Sequence, residues 1–434
     1  MAKEMKDSGV EWIGEIPKEW DTMAFWQAIE RMGTGLNPRD NFELSKDDVF
    51  YYVTIRNFKD GKLYLDNNCD RISREAWTII QERSDLKKGD ILFASISKDG
   101  QAYIITDEPK NWNINESVFC IRVNEGLYDA NYFYYHLINC GYYDDLRRDA
   151  TGSTFQSIKQ NKLRKSRLVH PSLPEQKRIA YFLDIECACI DTVIEKTKAS
   201  IEEYKKLKQS VITQAVTKGI RPNRKMKGSG IEWIDEIPED WKVQRIKTVF
   251  HFRDERNYLP LEEVNLISLY TDLGVVQHCD LEKTTGNKAS NADGYKKVYE
   301  NDIIVNIILC WMGAIGRSAY TGVTSPAYDI YVPTDEVESK FYHYYFRTTG
   351  FSGDCYKRGR GIMAMRWRTY SDQFRDIKVV IPPIEEQREI IKYLDEKLNS
   401  IENIIVKKEQ FLTEMEDYKK ALIFEYVTGK KGVM

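Results

Sequence analysis

Residues 174–219 read PEQKRIAYFLDIECACIDTVIEKTKASIEEYKKLKQSVITQAVTKG. Between Glu175 and Lys218 there is neither glycine nor proline, so nothing in the stretch must break a helix. Pro174 stands where a first helical turn tolerates it, and Gly219 where a C-terminal cap is expected. Apolar or small residues recur at Cys187, Ile190, Ile194, Thr197, Ile201, Tyr204, Val211 and Ala215, with Lys208 in the remaining slot. That alternation of three and four is the seam of a coiled coil. At 1.5 Å per residue the helix is about 65 Å long, and alone it cannot bury its seam.

A partner lies in the same chain. Residues 385–432, EEQREIIKYLDEKLNSIENIIVKKEQFLTEMEDYKKALIFEYVTGKKG, match the first stretch at a constant offset of 211, which carries Glu175-Gln176 onto Glu386-Gln387 and Val216-Thr217 onto Val427-Thr428. The seam returns as Leu398, Ile401, Ile405, Lys408, Leu412, Met415, Lys419, Leu422 and Tyr426. Equal length and a shared seam predict that the two helices pack on each other. The first helix leaves one domain and arrives at the next, so the second runs back and the pair is antiparallel.

A second element is duplicated as well. MKDSGVEWIGEIPKEW, Met5 to Trp20, returns as MKGSGIEWIDEIPEDW, Met226 to Trp241. The chain of 434 residues is therefore a direct repeat of tag, globular segment and long helix. Strand-like runs appear at 50–55, 90–95 and 117–123 in the first copy, and at 266–269, 302–305 and 327–332 in the second. Aromatic-rich helices are predicted at 131–146 and 338–348. The expected fold class is α+β, with two mixed, mainly β domains separated by a long antiparallel coiled-coil pair in pseudo-two-fold arrangement. The expected division is 1–173, 174–219, 220–384 and 385–434.

Composition narrows the chemistry. Net charge is −3, whereas a free-standing DNA binder is usually basic overall, so any basic surface must be local. Eight cysteines include no C-x-x-C and five histidines are scattered, so no zinc site is read, and the cysteines read as reduced thiols in a cytoplasmic protein. No signal-peptide core and no membrane-length apolar run are present. A phosphate-binding G-x-x-x-x-G-K-[ST] loop is missing, as are N-P-P-Y and D-P-P-Y; Asn37-Pro38-Arg39-Asp40 is only a turn-like fragment.

The two tags, Pro174-Glu175-Gln176, the helix endings Ala215-Val216-Thr217 and Tyr426-Val427-Thr428-Gly429, and Gly89-Asp90-Ile91-Leu92 resemble the specificity subunit of type I restriction–modification enzymes. The likeness extends over essentially the whole chain. It implies that each globular domain is a target-recognition domain reading one half of a split sequence in double-stranded DNA. It further implies that the helices space the domains and dock methyltransferase subunits, two of them, and that ATP-dependent restriction subunits join the complex. No cofactor is then held by this chain; S-adenosylmethionine and ATP belong to the partners, and the chain itself is not catalytic.

Two segments carry local positive charge. Residues 145–168 hold Arg147, Arg148, Lys159, Lys162, Arg164, Lys165 and Arg167 against two aspartates, around Thr151-Gly152-Ser153-Thr154-Phe155-Gln156. Residues 354–378 hold Lys357, Arg358, Arg360, Arg366, Arg368, Arg375 and Lys378 against three. Both precede a long helix. Basic side chains there can neutralise phosphates, and arginines, Ser153, Thr154 or Gln156 can meet phosphates or base edges. Lys98 and Asn306, in turns after corresponding strands, are further candidates, as are Arg221, Arg224 and Lys225 of the linker. Solvated loops would show the same charge. Trp12, Trp20, Trp233 and Trp241 are expected to be structural, because domains reading different sequences would not share them. A coiled-coil scaffold, or a DNA-modifying enzyme with an unrecognised site, remains the alternative.

Overall fold

The structure is a computed structural model that describes residues 4–39, 41–59, 61–97, 100–148, 157–278, 291–361 and 367–433. It divides into two compact units, residues 1–198 with 410–434 and residues 199–409.

At the centre of the first unit is a four-stranded antiparallel sheet in the order Ala102–Ile104, Ile91–Ala94, Val118–Val123, Ile29–Thr34. Its inner strands, ILFA and VFCIRV, are apolar on both faces, as strands covered on both sides must be. Alternate residues serve two cores, following the two-residue period of a strand. Phe93, Phe119 and Ile121 pack with Tyr132, Phe133 and Leu146 on one face. Leu92, Val118 and Cys120 pack on the other with Val53, Trp112 and Ile114. A smaller sheet, Phe50–Val53 between Trp112–Ile114 and Asp70–Ile72, covers that second core.

The second unit repeats the plan. Its sheet runs Phe250–Arg253, Tyr328–Pro333, Ile303–Asn306, Ile315–Arg317. Ile303, Val305 and Tyr331 face a core with Tyr342, Tyr345 and Phe346, while Ile304 and Ile330 face a smaller one. The single helix expected over 131–146 is two, Ala130–Leu137 and Cys140–Arg147. Asn139 breaks it, its side chain accepting the N–H of Gly141 at 3.0 Å as an N-cap.

The long helices are Leu173–Lys218 and Ile384–Val427. Each ends on a glycine with positive φ, Gly219 at 73° and Gly429 at 74°, as helix C-caps favour. Within the first unit they pair antiparallel: Phe182 meets Tyr426 at 4.4 Å, Asp191 meets Lys419 at 2.6 Å and Lys198 meets Glu416 at 3.7 Å. Within the second, Tyr204 lies under Lys408 at 5.7 Å and Lys208 meets Glu402 at 2.6 Å. Ile190, Ile194, Ile201, Ile401, Ile405 and Leu422 are buried, and Tyr204, Val211, Leu412 and Met415 half-buried. Lys208, Lys408 and Lys419 take seam positions with their ammonium groups led out to carboxylates or a ring, while their stems cover apolar surface.

The duplicated residues clip each domain to its helices. Trp20 Nε1 donates to Glu175 at 2.8 Å, and Trp241 Nε1 to Glu386 at 3.1 Å. The amide of buried Gln176 accepts from Asp129 N (2.9 Å) and donates to Leu127 O (3.0 Å) and Pro171 O (2.9 Å). Gln387 does the same with Glu338 N, Glu336 O and Pro382 O at 2.8, 3.0 and 2.8 Å. Trp12 packs on His136 and Tyr142, and Trp233 on Tyr345 while donating to Asp354 at 2.8 Å. The tag tryptophans are structural.

Candidate nucleic-acid interface

In each unit one end of the central sheet gathers the basic segments. In the second, Ile303–Asn306 leaves the sheet where Asn306 faces Tyr328, and the carbonyl of Ile307 then accepts the N–H of Thr369 at 2.9 Å. This bond ties Thr369, and with it the neighbouring Arg368, to that end. Arg360 and Arg368 face each other across an antiparallel bridge, exchanging N–H···O bonds of 2.8 and 3.0 Å. Two like charges directly opposite repel. They are relieved by exposure and by Gln373, whose amide, with its oxygen toward Arg360, accepts from Nε at 2.7 Å and from Nη2 at 3.2 Å.

The bridge is seated by aromatic packing. Trp367 stacks on Tyr356 at 5.0 Å and donates to the Tyr356 carbonyl at 3.0 Å, and Trp311 meets the same tyrosine at 5.5 Å. A Cβ on Gly359 would lie 2.2 Å from Trp367 Nε1, so only glycine admits the ring. Arg358 and Arg368 are exposed and make no ion pair with any described residue. Lys357 is paired with Glu232 of the tag at 2.5 Å.

The first unit has the same attachment: Ser95, just past Ile91–Ala94, accepts the N–H of Ile158 at 2.8 Å. Lys159 then precedes the helix Gln160–Lys165 without a side-chain capping bond, and the last turn of that helix carries Lys162, Arg164 and Lys165. Positive charge there also suits the helix dipole. Arg147 lies over the Tyr143 ring at 5.6 Å, and Arg148 pairs with Glu11. Lys98, Ser153, Thr154, Gln156 and Arg366 lie outside the described residues.

Other candidates are used by the fold. Asn306 is buried, its oxygen accepting from Ile308 N (3.0 Å) and Leu309 N (3.3 Å); it builds its own turn. Arg221 makes a bidentate pair with Glu389, and Arg224, largely buried, bridges Asp240 and Glu386. The linker cations thus neutralise carboxylates at the base of the second long helix.

Residues 34–203 and 238–412 match the type I restriction modification DNA specificity domain, twice in succession. The chain belongs to that family.

Relatives of this specificity chain match it along most of their length. A protein of Methanocaldococcus jannaschii described as the MjaX specificity subunit of a type I restriction enzyme is 26% identical, covering 96% of this chain and 95% of its own. The EcoBI specificity subunit of Escherichia coli is 25% identical over 70% of this chain and 66% of its own. Among solved structures, a chain of a type I R-M system superposes with a TM-score of 0.70 at 14% identity, covering 96% of this chain and 99% of that one. The HsdS subunit of Thermoanaerobacter tengcongensis gives 0.53 at 14%, covering 96% and 98%. These structures share its fold.

Sequence periodicity passes over one feature of the specificity chain, the loops after the outer strands Ile29–Thr34 and Phe250–Arg253. Thr34 faces Phe119, and Arg253 faces Ile330, so both loops emerge at the ends that carry the basic segments. They present exposed Arg39 in one unit and exposed Tyr258 and Leu259 in the other. Among the described residues no group of His, Cys, Asp or Glu could hold a metal ion, and no helix is long and apolar enough to cross a membrane.

Proposed function

We propose that the chain gives a type I complex its DNA sequence preference through the sheet ends of its two globular domains, each reading one half of a bipartite site. The observation that carries this reading is the recurrence of one arrangement: a basic segment fastened by one backbone hydrogen bond beyond corresponding strands, at Ile158 and at Thr369. Arg358, Arg360 and Arg368 are the contacts assigned to the second domain, with Lys159, Lys162, Arg164, Arg147 and Arg148 assigned to the first. Ser153, Thr154, Gln156, Lys98 and Arg366 stand beside them in sequence and are part of the same proposal.

The chain supplies recognition and no chemical step. Two methyltransferase subunits bearing S-adenosylmethionine dock on the helices, and ATP-driven restriction subunits join them, in the cytoplasm with the DNA. The functional division follows the repeat, with domains at 1–173 and 220–384 and spacer helices at 174–219 and 385–434.

Methylated adenines mapped in cells with and without the chain test this directly. Loss of one methylated sequence on deletion is expected. Replacing residues 242–384 by the matching domain of a relative should change one half of that sequence and leave the other as it was. A methylation pattern indifferent to deletion refutes the reading, and a swap that alters both halves refutes independent reading.

A further inference from the structure

In the second unit the loop after Phe250–Arg253 holds two apolar side chains in water. Tyr258 is 80% exposed and Leu259 51%. Unlike a slack loop, it is braced from beneath by Asn257, which is 1% exposed. The Asn257 amide donates to Leu259 O and Ala292 O at 2.9 Å each, and its backbone bonds Tyr295 O and Gly294 N at 2.8 and 2.9 Å. Pro260 stiffens the far side. Holding a tyrosine and a leucine in solvent forgoes the burial that favours folding, and the brace keeps the pair side by side at the loop tip, where a partner can cover both.

A buried ionic network fixes where the tip stands. The backbone of Arg256 pairs with that of Lys296 in an isolated antiparallel β-bridge, and the Lys296 ammonium, 6% exposed, pairs with Asp329 at 3.2 Å and approaches Asp254 at 4.0 Å. Asp329 also accepts the hydroxyl of Ser371, three residues beyond Arg368. Buried ion pairs rarely raise stability over apolar packing. This one joins the base of the Tyr258 loop to Ser371, beside the Arg360–Arg368 bridge, holding both at one sheet end. An anionic partner drawn by Arg358, Arg360 and Arg368 would therefore meet the apolar tip as well.

We infer that Tyr258 and Leu259 are specificity-determining residues that contact thymine 5-methyl groups in the second half-site. The inference rests on the reading of this sheet end as a DNA-recognition surface. Neither side chain supplies a charge for phosphate, and the apolar group a base edge offers in the major groove is the thymine methyl. The first domain has Arg39 in the corresponding loop, so the two domains would read different bases there.

The test uses the full chain with its host methyltransferase, carrying Tyr258→Ala or Leu259→Ala. Mapping of methylated sites should show preference relaxed at one thymine-containing position of the second half-site, with the first half intact. Affinity for the original site should fall by up to roughly 10- to 100-fold, the worth of burying one such side chain, with the wild-type salt dependence retained, since no charge is removed. Deoxyuridine at that position should weaken wild-type binding about fourfold, the worth of one methyl group, and leave the Tyr258→Ala variant unaffected. Unchanged sequence and affinity in both variants overturn the inference, as does a loss equal for all sequences or indifference of the wild type to deoxyuridine. A wild-type chain that sets no methylated sequence would instead refute the functional reading itself.

Discussion

Arg358 and Arg368 offer the cleanest test of the basic segment, because neither has an ion partner among the described residues whose loss would confuse the result. Both are exposed, so replacement by alanine should change stability by no more than about 0.5 kcal/mol. If each neutralises one phosphate, each substitution lowers the slope of log affinity against log salt by about 0.9. Between 50 and 200 mM salt that amounts to about 3.5-fold per arginine. The variant's deficit should therefore be largest at low salt and shrink by that factor, whatever the DNA sequence. An arginine that pairs with a guanine edge behaves differently: it costs about 1–3 kcal/mol at one base pair and relaxes that position alone. Lys357→Ala serves as control, since Lys357 already faces Glu232 at 2.5 Å and should alter the slope less. Titrating the assembled complex against cognate and scrambled duplexes at four salt concentrations separates these outcomes. If Arg358→Ala and Arg368→Ala leave slope, affinity and methylated sequence untouched, these arginines are not on the DNA.

Gly359→Ala should force Trp367 off Tyr356, because the new Cβ would stand 2.2 Å from the indole nitrogen; a cost of about 1–3 kcal/mol is expected, read as a lower melting temperature with altered tryptophan fluorescence. Gln176→Leu or Gln387→Leu strips three buried hydrogen bonds and should destabilise the affected unit by at least about 3 kcal/mol, measured by denaturant unfolding, without changing which bases are read. Acid should weaken the fold through two histidines. Burial holds His136 down to about 3 and His343 to about 4, and each accepts a backbone N–H, from Val169 and Arg317. Unfolded, both titrate near 6.5. Folded values below unfolded ones mean that the stability is intact above about pH 6.5 and is lost as pH falls towards 3–4, by about 1.4 kcal/mol per unit for each ring. Unfolding midpoints at pH 7.5 and pH 5 should differ accordingly, and His136→Gln should remove one ring's share.

What was legible in the sequence was whatever repeats or has a period. The seam from Cys187 to Ala215 and its copy carry a helical spacing that only a long paired helix satisfies, and the tags return with most residues unchanged. The inner strands were visible as short apolar runs between turns. The outer strands were not: IERMGT and FHFR each have one buried residue and otherwise face water in part, so they show neither a continuous apolar run nor a clear alternation. Asn139 was hidden because aromatic residues continue on both sides of the break it makes. Asn306 reads as a polar residue after a strand, and only coordinates show its oxygen turned back on Ile308 and Leu309. The Tyr258 tip has no sequence signature, since exposure of an apolar side chain depends on a brace, Asn257, whose partners Ala292 and Tyr295 are distant in sequence.

The distribution of repeated and unrepeated residues bears on where recognition can lie. Trp20 and Trp241, Glu175 and Glu386, and Gln176 and Gln387 are the same in both copies, and they meet at the junction of domain and helix, where each long helix closes on a glycine of positive φ. There Gly429 lies against Trp20 and Pro17, and Gly219 against Trp241 and Glu386. If that junction were the reading surface, both domains would present the same groups to DNA and would read the same bases. At the sheet ends the copies diverge, Arg39 against Tyr258 and the helix Gln160–Lys165 against the Arg360–Arg368 bridge, although the backbone attachment at Ile158 and Thr369 is common. A shared support with unlike tips lets one half-site change while the other, and the stability of both domains, stay as they were. Substitutions at the junction should accordingly lower stability and spare the sequence read, and those at the tips should do the reverse. A tip variant that unfolds a domain, or a junction variant that shifts the methylated sequence, would break that division of labour.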